Sequence, residues 1–203
     1  MSKKRVVFRI KRKHLWYLFS LLLIVAIVFG IRAYNIHKHQ QELAERVRYY
    51  NNFRFEKMAG MWWTQWQRGK DLYTIPFRFL PSEVENVTVT GQLVNFSFGQ
   101  LYITFNPYDT DLQFVALAAS ELGISLAKVF HVEIKSACTE PYQNVCPPKP
   151  IVTCNNTNQS VIMLRVAENP KITLNKNCIT FEGDKFDLVR VVDKFLYYLY
   201  GIL

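Results

Sequence analysis

The chain has 203 residues, half of them apolar, and a formal charge of +9. That length and apolar content supply a genuine core for one folded domain and exclude disorder of the bulk. The charge is confined: Lys3, Lys4, Arg5, Arg9, Lys11, Arg12 and Lys13, with Arg32, account for eight of the 25 basic residues and none of the 16 acidic ones. The remainder is therefore neutral to within about one charge and lacks the basic face that nucleic-acid binding requires.

In chain order, residues 1–14 form a basic tail and residues 15–36 a transmembrane helix. The run from 15 to 31 holds twelve Leu, Ile, Val or Phe residues among seventeen and no charge. At about −0.3 to −0.6 kcal/mol each, these favour insertion by roughly −4 to −7 kcal/mol. Trp16, Tyr17 and Tyr34 are interface-seeking rings, and Lys13 and Arg32 can snorkel to the headgroups. Seven cations before the span, against a mixed-charge segment after it, predict a cytoplasmic N-terminus lying against anionic lipid headgroups, with the C-terminal domain outside. A cleaved signal peptide is the competing reading, because Val28-Phe29-Gly30 loosely resembles a cleavage pattern; the apolar run is longer than a usual h-region, and Arg32 follows too closely.

Residues 37–54 space Leu43, Val47 and Tyr50 at helical intervals among charges and predict a membrane-proximal stalk helix. Residues 55–203 form the displayed domain. Residues 60–67 and 72–79 read as two aromatic strands joined at Arg68-Gly69-Lys70-Asp71, a hairpin. Trp62, Trp63 and Trp66 are candidate binding residues for a glycan or peptide; the plainer reading has alternate rings packing into the core from one face of the strand.

From Leu80-Pro81-Ser82 the pattern changes to a helical turn, then short strands over 87–91 and 93–98. A strand over 101–105, a helix over 110–129 capped by Asp109 and a strand over 131–137 make a βαβ unit with parallel strands. Strands over 160–166, 171–174 and 178–182 predict a C-terminal meander. A last helix from Asp184 turns Leu188, Val192, Phe195 and Leu199 inward and Asp187, Arg190, Asp193 and Lys194 outward, with Gly201 at its C-cap. The expected class is α/β or α+β: an N-terminal transmembrane helix and stalk, then one small sheet carrying two main helices.

All four cysteines, Cys138, Cys146, Cys154 and Cys178, follow the span, an even number that predicts two disulfides in an oxidising compartment. Three pairings are open; Cys138 with Cys146 around a Pro-rich turn and Cys154 with Cys178 between strands is the favoured one. Gaps of 7, 7 and 23 residues lack the close pairs of a structural zinc site. Four glycosylation sequons, at Asn86, Asn95, Asn155 and Asn158, also lie past the span and mark a glycoprotein.

No hydrolase, zincin, phosphate-loop or dinucleotide motif is present. Beyond the stalk His131 is the only histidine, so no His-based triad or multi-His metal site can be assembled, and neither a metal nor a cofactor is expected. Asp109 and Asp111 could serve as a carboxylate pair, but a helix start needs a cap there. His37 and His39 could bind metal or sense pH, and as part of a solvated stalk they need no function.

The stretch from Tyr50-Asn51-Asn52 through Trp62-Trp63-Thr64-Gln65 to residue 91, with Asn177-Cys178-Ile179 and residues 187–203, resembles a group of uncharacterised archaeal proteins with one N-terminal membrane anchor. The resemblance covers most of the displayed domain. It implies a cell-envelope setting and carries no activity, so no residue takes a role from it. The functional expectation is a non-enzymatic module that binds an envelope protein or itself. A glycan- or peptide-binding module using the tryptophans is the alternative, and a carboxylate-dependent enzyme a more distant one.

Overall fold

The computed structural model describes residues 12–143 and 145–203; the cations of the tail up to residue 11 lie outside them. The first element, α1 (Arg12–Arg46), is an unbroken helix of 35 residues, about 52 Å of rise. Its window Phe19–Gln41 has a mean hydropathy of 2.0 and none of it is buried. The span from Trp16 to Ile36, charge-free up to Arg32 near its end, is about 31 Å long, close to a hydrocarbon core of about 30 Å. This element has the length and surface of a membrane anchor.

The helix ends at Arg46 rather than at 54, which corrects the predicted stalk. Val47, Tyr49 and Tyr50 are strand formers, and Asn51 and Asn52 take φ of 44° and 66°, the left-handed pair of a type I′ hairpin turn that asparagine tolerates. Strand β1 (Val47–Tyr50) therefore begins directly and turns into β2 (Phe53–Met58). Ala59 and Gly60, at φ 50° and 80°, lead to β3 (Met61–Arg68), and Gly69, at φ 61°, opens the turn to β4 (Asp71–Phe77). The result is a four-stranded sheet in the order β1-β2-β3-β4. The predicted aromatic hairpin is β3 and β4, paired from Trp62↔Phe77 to Arg68↔Asp71.

After a 3₁₀ turn at Pro81–Glu83 come β5 (Thr88–Leu93), β6 (Gln100–Phe105), α2 (Leu112–Phe130), β7 (Glu133–Cys138), β8 (Ser160–Val166), β9 (Lys171–Lys176), β10 (Cys178–Gly183) and α3 (Phe186–Leu199). These strands make a second, mixed sheet in the order β5-β9-β10-β8-β6-β7. The predicted βαβ unit is β6, α2 and β7, with β6 and β7 parallel. Residues 94–99 do not continue as a strand.

The last three strands are not a simple meander: β10 lies between β9 and β8, antiparallel to the first and parallel to the second. Burial explains the order. Five of the six residues of β10 are buried, against one in β9, and the central place goes to the strand with apolar side chains on both faces.

Two sheets, not one, hold the helices. Phe77 of β4 stacks on Tyr197 of α3 at 4.1 Å, and Phe181 of β10 meets Phe195 of the same helix at 5.1 Å. Trp66 of β3 and Leu126, Val129 and Phe130 of α2 belong to the same core. The helices are thus the filling of a sheet, helix, sheet sandwich, which is why α3 buries Leu188, Val189, Val191, Val192, Leu196 and Tyr197 around its circumference. Its end is a Schellman motif: Gly201, at φ 65°, donates to the Tyr198 carbonyl and Ile202 to that of Tyr197.

Candidate functional site

Alternation along β3 separates the three tryptophans. Trp62 is 7% exposed in the core, with the Lys57 ammonium 5.2 Å from its ring centre. Trp66 faces the same way, 5.1 Å from Tyr200 and 5.7 Å from Phe130, and its Nε1 donates to the Tyr200 carbonyl at 2.8 Å. Trp63 points to the opposite face, in register with Glu56 and Pro76, and donates its Nε1 to the Met58 carbonyl at 3.1 Å. No three-ring platform exists. The outer face of the four-stranded sheet instead sets Trp63 among Met58, Leu72, Arg54, Gln65 and Gln67, all five of them exposed.

On the far face of the six-stranded sheet Val152 and Cys154 pack down, in a segment that disulfides Cys138–Cys146 and Cys154–Cys178 tie to the sheet. A small second core of Ala137, Val152, Val161 and Cys178 lies beneath it, and the Thr104 hydroxyl donates to the Val152 carbonyl at 2.8 Å. At the carboxyl ends of β6 and β8 is a cleft of about 400 Å³ bordered by Asn106, Asp109, Thr139, Thr153 and Arg165. The chain leaves β6 toward β7 and leaves β8 toward β9, in opposite directions, so this is a topological switch point, where open sheets place ligands.

Its charged groups already have partners. Asp109 Oδ2 accepts the Val166 amide at 3.3 Å, and Arg165 pairs with Glu182 at 3.0 Å, as does Lys171. Asp109 therefore does not cap α2. The residue before that helix is Asp111, at φ 55°, whose Oδ1 accepts the side-chain Nε2 of Gln113 at 3.1 Å and caps no main-chain amide, while its main-chain carbonyl takes the Phe114 main-chain amide.

No family model, curated protein or solved structure matches this chain. Its chemistry is read from its own side chains. Among the described residues no three His, Cys, Asp or Glu side chains gather as a metal would need. His131 is exposed and ends α2 in the left-handed conformation, at φ 58°. His37 lies 3.2 Å from the Gln41 amide on α1, and His39 is exposed there. The sequon residues Asn86, Asn95, Asn155 and Asn158 are all exposed.

The best-formed polar site escaped the sequence. Asp193, expected on a solvated face, is 1% exposed, and its Oδ2 accepts the main-chain amides of Arg78 and Phe79 at 2.9 Å each. The Tyr197 hydroxyl donates to the Phe79 carbonyl at 2.6 Å, and the Arg78 guanidinium pairs with Glu121 of α2. Burial pushes the Asp193 carboxyl well above its usual range; the Phe79 amide opposes this, Glu121 adds to it, and the Arg78 amide and guanidinium oppose it. Burial likewise raises Glu121 against the pull of Arg78. The signal was present: Asp193 sits four residues from Val189 and from Tyr197, inside the apolar stripe. Here it clamps the exit of the four-stranded sheet to α3, a structural task.

Proposed function

We propose that the chain is a single-pass membrane protein, its N-terminal tail cytoplasmic and its two-sheet domain displayed in an oxidising space outside, where it binds another protein of the envelope or a second copy of itself. The exposed apolar length of α1 and the two disulfides support the anchor and the compartment. The uneven spread of cations about the span supports the orientation and a contact between the tail and anionic lipid.

The outer face of the four-stranded sheet carries the binding proposal. It combines an aromatic ring, a methionine and an arginine (Trp63, Met58 and Arg54), side-chain types enriched at protein interfaces, with neutral polar residues and with Glu56, which pairs with Arg54 at 3.0 Å. Crosslinking with mass spectrometry in native membranes tests it. A recurrent partner or homo-oligomer, lost on Trp63→Ser with Met58→Asp, is expected; failure to recover either from the unaltered protein refutes it.

A glycan- or peptide-binding role is the second proposal, and Trp63 favours it by lying outward beside Gln65 and Thr74. With Trp62 and Trp66 turned inward, stacking would rest on one ring, which weighs toward a protein partner.

A further inference from the structure

A sheet edge presents unpaired main-chain amides and carbonyls to any passing strand, and stable proteins blunt such edges with short strands, charges, proline or a covering segment. Three of the four edges here carry such devices. β1 is four residues long and contains Arg48; β4 contains Asp71 and Pro76; β7 contains Glu133 and Lys135 and is covered at its end, where Cys138 donates to the Pro150 carbonyl and Val152 to that of Cys138.

The fourth edge has none of them. β5 reads Thr88, Val89, Thr90, Gly91, Gln92 and Leu93, without charge or proline, and all but the last are exposed. It pairs with β9 on one side, and no described element pairs with the other.

Two of the four sequons bracket this strand. Asn86 lies two residues before Thr88 and Asn95 two residues after Leu93, both exposed, at the ends of a strand about 20 Å long. The other two sit in the disulfide-tied segment. We propose that Asn86 and Asn95 carry N-linked oligosaccharides and that this pair of glycans shields β5 from edge-to-edge association. In the attachment, the Asn Nδ2 displaces the phosphate oxygen at the anomeric carbon of a lipid-phosphate-linked oligosaccharide. A carbon–nitrogen bond forms, the carbon–oxygen bond breaks, the lipid phosphate leaves with the bonding pair, and the amide gives up one proton. The proposal rests on the outward orientation of the domain.

The test uses the full chain expressed in cells that attach N-linked oligosaccharides. Protease protection of the membranes reports orientation, glycopeptide mass spectrometry reports occupancy, and light scattering in detergent reports the oligomeric state. The expected result is occupancy at Asn86 and Asn95, species larger than the wild type for N86Q/N95Q but not for N155Q/N158Q, and return to the wild-type state when T90K is added to N86Q/N95Q. Unmodified Asn86 or Asn95 on an outward domain overturns the proposal alone. So does an N86Q/N95Q protein with the wild-type oligomeric state. A domain protected inside overturns the orientation as well.

Discussion

Replacing Asp193 tests the clamp between the four-stranded sheet and α3. Asp193→Ala leaves the amides of Arg78 and Phe79, each held at 2.9 Å, without their acceptor. An orphaned donor costs about 1–3 kcal/mol; both sites are only partly buried, so the lower half of that range applies to each, about 2–4 kcal/mol in all. That is a large part of the 5–15 kcal/mol typical of a domain. Asp193→Asn keeps one oxygen in place and should lose about 1 kcal/mol. Urea unfolding of the full chain in detergent, followed by tryptophan fluorescence with disulfides intact, measures both. The sign of the pH dependence is also fixed. Burial raises the folded carboxyl above its unfolded value, so the folded state holds the proton more tightly. The contribution of this group is fully present below about pH 4 and is lost as pH climbs through the folded value. Asp193→Asn should flatten that fall, leaving the smaller share from Glu121, which has the same sign. An Asp193→Ala protein within about 0.5 kcal/mol of wild type would refute the clamp, since that is the scatter of inert surface changes.

Gly91→Ala should cost more than about 2 kcal/mol, because φ is +84° and the new methyl would stand 2.0 Å from the Leu174 carbonyl oxygen. Hydrogen exchange should rise in β5 and β9 while β2 and β3 keep their protection. Replacing Cys154 and Cys178 by serine opens the larger loop and should lower stability by about 3.5 kcal/mol, against about 2.5 kcal/mol for the Cys138–Cys146 pair, on the loop-entropy relation and separations of 24 and 8 residues. Denaturant midpoints of the two double variants check the order. Trp66→Ala should cost about 3–5 kcal/mol, as befits a ring packed on Tyr73, Phe130 and Tyr200. Trp63→Ala, on the outer face, should cost about 1 kcal/mol by the same unfolding assay.

What the sequence made legible was local. The β3–β4 hairpin could be read because Gly69 sits where the turn needs a positive φ, and the βαβ unit because Asn106-Pro107 and a long apolar stripe separate two strand runs. The Asn51-Asn52 turn was hidden by competition: Leu43, Val47 and Tyr50 also fit a helical spacing, and the strand-forming Val47, Tyr49 and Tyr50 decided the matter only once a sheet was there to join. The second sheet was illegible for another reason. β5 pairs with β9, far along the chain, and no window of sequence holds both strands. Asp193 was misjudged because one carboxylate in a stripe reads as a face boundary until its two amide donors are placed beside it. For the outer-face surface, alternation of the tryptophans was visible from the start, but not which parity faced inward.

The turns of the four-stranded sheet also set an order of assembly. Each of its hairpins closes over two residues, so its strand pairing needs nothing beyond Phe77, although the inner face that holds Phe77 and Trp66 stays uncovered until α2 and α3 are made. Thr88 must wait for Lys171, and until that strand emerges both sides of β5 are bare. The interval between these two events is when the nascent chain is most open to wrong partners.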